Sequence, residues 1–295
     1  MGIRAERNNG MEYVLKNEHV RLAVSDFGAE MTSLKLNGFE YLWTPDDAHF
    51  NRVSPCLFPI TGRFMEGYYT HNEKKYYMTL NGMVMEKNFS TEQISETELR
   101  MVLHEDEETL AVYPYSFTLA IYYRLEGNFV HISYDVSNHS EEAMPFSVGN
   151  HTAYKWPLVD NDNPNSYFLR FEKPETLKSF SPFGWTDSYI TNETIRPLDH
   201  SLYINGTRSF KNQRSEWIEY TGANCDYAVR MYNKELPFVA NWAKPDKNAN
   251  LVCIEPTLSI SSHGPTIFDR EGIHVLQPGN SERISYTLEV YCKNR

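Results

Sequence analysis

The chain has 295 residues, 41% of them hydrophobic and 14% aromatic, enough to bury a large core. A formal charge of −11 with no clustered Lys/Arg face argues against a nucleic-acid partner, an anionic membrane surface or a polyanionic substrate, and suits a neutral small ligand. No run of about 18 apolar residues marks a membrane-spanning helix.

Met1 to Gly10 are polar and charged, without the apolar centre of a secretion signal, so a cytoplasmic protein is expected. Met11 offers an alternative start, with residues 1–10 as an extension outside the core. From there period-two alternation dominates. Residues 19–24 read as a strand, Gly28 opens a turn, and 31–36 form the next strand. Residues 68–70 and 75–78 flank His71-Asn72-Glu73 as a hairpin. The clearest pattern is 117–125, then Glu126-Gly127-Asn128, then 129–136. Phe117, Leu119, Ile121 and Tyr123 share one face of the first arm; Val130, Ile132, Tyr134 and Val136 share one face of the second. Further strands are expected at 167–171, 217–220, 227–232, 238–242, 251–254 and 284–291. Short helices are expected near 46–50 or 154–157. Polar loops at 160–166 and 245–250 are too short to be linkers, and no repeat appears, so residues 1–295 read as one all-β domain, an antiparallel sandwich. Cys56, Cys225, Cys253 and Cys292 lie far apart with no CxxC pair and are expected to stay reduced.

Three stretches stand out chemically. In FSVGNHTAY (146–154) an alternating run ends at Gly149 and His151 follows, placing an imidazole at a strand end; the same pattern also suits a histidine satisfied within a turn. SPCLFPITGR (54–63) is a proline-punctuated apolar segment that closes on Arg63. In LVCIEP (251–256) an apolar strand ends in Glu255, with Pro256 forcing an extended conformation. A carboxylate desolvated at a strand end becomes a useful base near neutral pH; one facing water does not. There is no phosphate loop, no HExxH or GxSxG, and no metal-ligand spacing, so neither cofactor nor metal is expected.

Together SPxLFPIxGR, FSVGxHxAY and CIEP, in this order, resemble the aldose 1-epimerase (galactose mutarotase) family, in its LacX-like branch, over nearly the whole chain. The resemblance implies a galactose-mutarotase-like antiparallel β-supersandwich with a hexose-binding cleft. It implies Glu255 as general base, His151 as general acid and Arg63 as a contact to sugar hydroxyls. It also implies an isomerase that interconverts the anomers of an aldose such as galactose or glucose. A monosaccharide is then the only partner, on a monomer or homodimer. Trp242 and Tyr154 could offer a flat apolar face to the sugar, although core packing is the favoured reading for both.

Some residues depart from the family pattern. Asn81, in Asn81-Gly82-Met83, stands where the family has a histidine in a HGF-type triplet; it keeps hydrogen-bonding capacity but carries no proton charge. Thr257 and Asn150 replace a tryptophan and a glycine, and Asp226 is a weak match to a sugar-binding aspartate. These departures leave two alternatives open: a non-catalytic or weakly active sugar-binding relative, and an epimerase acting on a hexose 6-phosphate. The latter calls for additional cations, for which His263 and Arg270 are available in sequence.

Overall fold

A computed structural model describes residues 10–180, 186–261 and 264–294. The proposed extension at residues 1–10 therefore falls almost wholly outside the described residues, as does His263. The architecture is antiparallel β throughout, as the alternation predicts. A four-stranded sheet runs Glu12–Lys16, Val20–Ser25, Glu30–Leu36 and Phe39–Glu40 in sequential order. A second sheet has 15 strands, and two two-stranded sheets complete the topology of the described residues.

The hairpin Phe117–Glu126 with Phe129–Asn138 shows how this sheet is held. Its strands pair residue by residue from Phe117 opposite Asn138 to Glu126 opposite Phe129. The eight inward side chains named above are all fully buried. Each contributes about 1.5–3 kcal/mol relative to exposure. Tyr123 and Tyr134 carry hydroxyls into this core and satisfy them on Ala29 O at 2.7 Å and Gly149 O at 3.2 Å. The second bond ties the central sheet to the stretch around His151.

Several expectations are corrected. Asp46 and Phe50 close a turn through a bridge rather than a helix, and Tyr154 belongs to the strand Thr152–Lys155. Among the described residues the α-helix lies instead at Glu107–Val112, where Asp106 and Thr109 form a reciprocal capping box. The strand beginning at Tyr167 continues to Phe180 and pairs with Thr186–Pro197, which has no alternating apolar signal because most of its side chains face solvent. All four cysteines are free thiols.

Candidate functional site

The site is built on the strand Leu251–Thr257, all seven residues of which are buried. It is flanked by Phe238–Trp242 on one edge and by Gly149 and Thr152–Lys155 on the other. Glu255 therefore sits inside a strand that continues through Pro256 to Thr257, and not at a strand terminus. On the His151 side, pairing runs from Lys155–Leu251 to Thr152–Ile254 and resumes at Gly149–Thr257. It lapses opposite Glu255 and Pro256. Proline has no N–H to offer, so a ladder cannot close there. His151 occupies this gap. The chain leaves the ladder at His151 itself, two residues later than the glycine suggested.

The backbone around His151 is fixed from both sides. Its N–H donates to Pro55 O at 3.0 Å, and Gly149 and Asn150 pair with Leu57 and Cys56. A Cβ on Gly149 would lie 2.9 Å from Pro256 O, so glycine is required for the strands to approach this closely. Asn150 is fully buried; its Oδ1 accepts from Ser54 Oγ and Thr152 Oγ1, both at 2.5 Å. That answers why an asparagine stands here: its amide cross-links the two segments that carry the imidazole.

His151 Nε2 lies 3.2 Å from Glu255 Oε1. The two groups touch side by side instead of facing one another across a gap. They border a cavity of about 430 Å³ that Arg63, Asn81, Thr257 and Trp242 also line. Phe50 stacks on the imidazole with ring centroids 5.0 Å apart, and Trp242 meets it edge-on at 6.0 Å. Thr61, Thr207, Ser209, Thr257, Ser259 and Ser261 contribute polar residues to the lining. None of Phe50, Thr207, Ser209 or Ser259 carried a signal in sequence; the fold alone gathers them.

Burial controls the electrostatics. It pushes the Glu255 carboxyl well above the usual carboxylate range and His151 down to about 4, so each group favours its neutral form. No cation is paired with Glu255 among the described residues. His151 Nδ1 and Glu255 Oε1 are both buried and without a hydrogen-bond partner in the protein; the 3.2 Å approach is not aligned as a hydrogen bond. Two orphaned polar atoms at a cavity wall are what a polar ligand would satisfy.

Arg63 is exposed at the cavity, its N–H bonded to Ser261 Oγ at 3.2 Å. Asn81 adopts φ +65, a left-handed conformation that asparagine tolerates well. Its Oδ1 accepts from Gly62 N at 2.6 Å and its own N–H donates to Gly62 O at 2.7 Å. It thus locks the loop that presents Arg63 while bordering the cavity. Arg270, only 2% exposed, does not reach the cavity as a free cation; it stacks on Phe64 and donates to the carbonyls of Thr61 and Arg63. Asp226 is not brought to the site: it is exposed in the turn before Tyr227–Tyr232, and its carboxylate accepts from Asn294. Tyr154 is core at 1% exposure, whereas Trp242 borders the cavity. Cys253, two residues before Glu255 on the same strand, presents its thiol on the same face. The donor atoms of His151, Cys253 and Glu255 all lie within 4.8 Å of one another, a grouping that linear spacing did not reveal.

The chain is similar to several known proteins. The protein LacX (plasmid) of Lactococcus lactis is 26% identical over 298 residues, covering 95% of this chain and 99% of that protein. Two solved structures share the fold. A galactose mutarotase related enzyme from Lactobacillus acidophilus superposes with TM-score 0.89 at 23% identity, over 96% of this chain and 98% of its own. A galactose mutarotase-like protein from Lactobacillus casei gives TM-score 0.88 at 24% identity, over 95% and 100%. The fold is thus the galactose-mutarotase-like one that the motifs implied. The model of the aldose 1-epimerase family matches residues 11–193, a span that includes Arg63, Asn81 and His151. The chain belongs to the aldose 1-epimerase family.

Proposed function

We propose that this protein interconverts the α and β anomers of an uncharged aldohexose, with Glu255 and His151 transferring protons and no covalent intermediate. The observation that carries the reading is the 3.2 Å contact between His151 Nε2 and Glu255 Oε1, two residues that border a cavity rich in Ser and Thr. The hydroxyl oxygen O1 and the ring oxygen O5 are both bonded to C1, so two groups in contact with each other suffice to reach both. Arg63 is the one cationic side chain among the described lining residues, which favours an uncharged sugar.

Written with Glu255 as base, the shared proton first passes from Glu255 to His151; the carboxylate then takes the O1 proton, C1=O1 forms, the C1–O5 bond breaks, and O5 receives the proton of the imidazolium. The open aldehyde rotates about C1–C2. Ring closure on the other face returns one proton to His151 and one to O1. The pair holds a single proton throughout, on one partner or the other. Burial that neutralises both partners keeps that count at one over a wide pH range. Each group contributes roughly 10²–10⁴-fold. Trp242 and Phe50 supply the flat apolar surface a sugar ring packs on.

The test is anomer exchange, followed by polarimetry or NMR, on galactose, glucose and their 6-phosphates. Acceleration on the free sugars that disappears in Glu255→Gln is the expected result. Sugar binding without acceleration would overturn the enzymatic reading. Acceleration confined to the phosphates would overturn the uncharged substrate and assign Arg63 to a phosphate.

A further inference from the structure

The mechanism above leaves one neighbour unused. Cys253 is fully buried and shares the strand face of Glu255, so the fold brings sulfur, nitrogen and oxygen donors together within 4.8 Å, with His151 and Glu255 bordering the cavity. We propose that His151, Cys253 and Glu255 bind a divalent zinc-class cation, and that its occupancy switches off the sugar chemistry.

Zinc takes thiolate at about 2.3 Å and imidazole or carboxylate at about 2.0–2.2 Å, which sets bound donors roughly 3.5 Å apart in a tetrahedral site. The His151–Glu255 pair already stands at 3.2 Å, and the whole set lies within 4.8 Å. Modest side-chain rotation closes the remainder. An independent observation points the same way. Glu255, 6% exposed, borders the cavity and keeps a buried Oε1 without a hydrogen-bond partner, and His151 Nδ1 is likewise buried and unpartnered. Three protein donors leave the fourth position facing the cavity, where water completes the shell. Coordination displaces the thiol proton and the single proton held by the pair. Two positive charges then meet one thiolate and one carboxylate, and the occupied site is neutral overall, as a low-dielectric wall requires. Soft thiolate beside imidazole selects zinc over magnesium or calcium.

Silencing follows because the atoms needed for proton transfer are then bound to metal. That consequence rests on the proposed proton-transfer role; the binding itself does not. Otherwise Cys253 is a packing residue among Ala153, Leu251, Trp43, Phe50 and Trp242.

The experiment titrates metal-free full-length protein with Co²⁺ as a spectroscopic stand-in, then displaces it with Zn²⁺. The expected result is a thiolate-to-cobalt charge-transfer band saturating at one equivalent, and protection of Cys253, mapped by mass spectrometry, from alkylation by bound Zn²⁺. In Cys253→Ala the band vanishes and Zn²⁺ binds at least ~10-fold more weakly, since even an outer partner of a metal ligand is worth that much. Anomer exchange by Cys253→Ala in chelator is expected to equal wild type, with Zn²⁺ inhibition correspondingly weakened. No thiolate band, no protection of Cys253, or unchanged Zn²⁺ affinity in Cys253→Ala would overturn the proposal. The alkylation readout uses wild-type protein and so does not depend on the variant folding. Zinc binding in a protein that never exchanges anomers would sink the proton-transfer reading and leave the metal site standing.

Discussion

Two regions of the large sheet each bury a glutamate in a central strand, and they treat it in opposite ways. Glu219, in Ile218–Gly222, is fully buried and surrounded: Arg170 Nη2 at 2.5 Å, Arg230 Nε at 2.8 Å, and the Tyr291 hydroxyl donating to the same carboxylate. The two guanidinium groups lie against the Trp217 ring at 5.7 and 4.5 Å. Glu255 is as deeply placed but has no cation, only a neutral imidazole, and it borders a cavity. The first carboxylate is neutralised by two guanidinium groups and accepts through Oε2 from Arg230 and Tyr291, so it contributes to folding. The second is left with a raised proton affinity and an unsatisfied oxygen, which costs stability and leaves it ready for proton transfer.

The comparison yields graded predictions. The largest effect is on rate: Glu255→Gln is expected to lower anomer exchange by about 10²–10⁴-fold while its melting temperature stays level or rises, because a buried carboxyl without a cation is replaced by an amide of the same shape. Exchange is read by NMR and melting by circular dichroism; an unfolded variant would mean Glu255 is structural. Glu219→Gln should do the reverse. It leaves two arginines short of their shared carboxylate and is expected to cost about 2–3 kcal/mol, with unchanged activity per folded molecule. Denaturant melts check this, and an unaltered midpoint would show that the cluster contributes nothing. A smaller loss, about 1–2 kcal/mol, is expected for Asn81→Ala, which forces a β-carbon residue lacking the capping amide to keep a positive φ. Asn81→Gly should recover most of the φ term, so equal losses in the two variants would discount the backbone argument.

The pH profile sharpens the same contrast. With one proton on the pair, His151 and Glu255 supply one base and one acid. Below about pH 4 a second proton reaches His151, both groups become acids, and the rate falls. Above the raised Glu255 value the last proton leaves, no acid remains, and the rate falls again. On acidification, activity should therefore not decline until the pH approaches about 4. A decline centred near 6.5, the ordinary histidine value, would mean that the imidazole is not desolvated.

The ease of reading the sequence followed the same division. The hairpin arms at Phe117–Glu126 and Phe129–Asn138 were legible because one buried face imposes strict alternation. Thr186–Pro197 was not, since a strand with most side chains in water carries no such signature. The motifs carrying His151, Glu255 and Arg63 could be picked out, but their placement could not. The lapse in pairing opposite Pro256 depends on which strand lies alongside. Asn81 read as a substitute for a titrating group; its conformation shows a loop lock, a property of φ rather than of residue type. Asp226 was misjudged because its turn points to the chain's end at Asn294. Cys253 escaped notice because its partners, apart from Glu255, are separated from it by about a hundred residues of chain and meet it only across neighbouring strands.

The most direct measurement is a double-mutant cycle on anomer exchange with Glu255→Gln, His151→Asn and the combined variant. If the two side chains share one proton, losing either disables both, and the double variant should be about as slow as the slower single one. Losses that multiply would show two groups acting independently and would contradict the account.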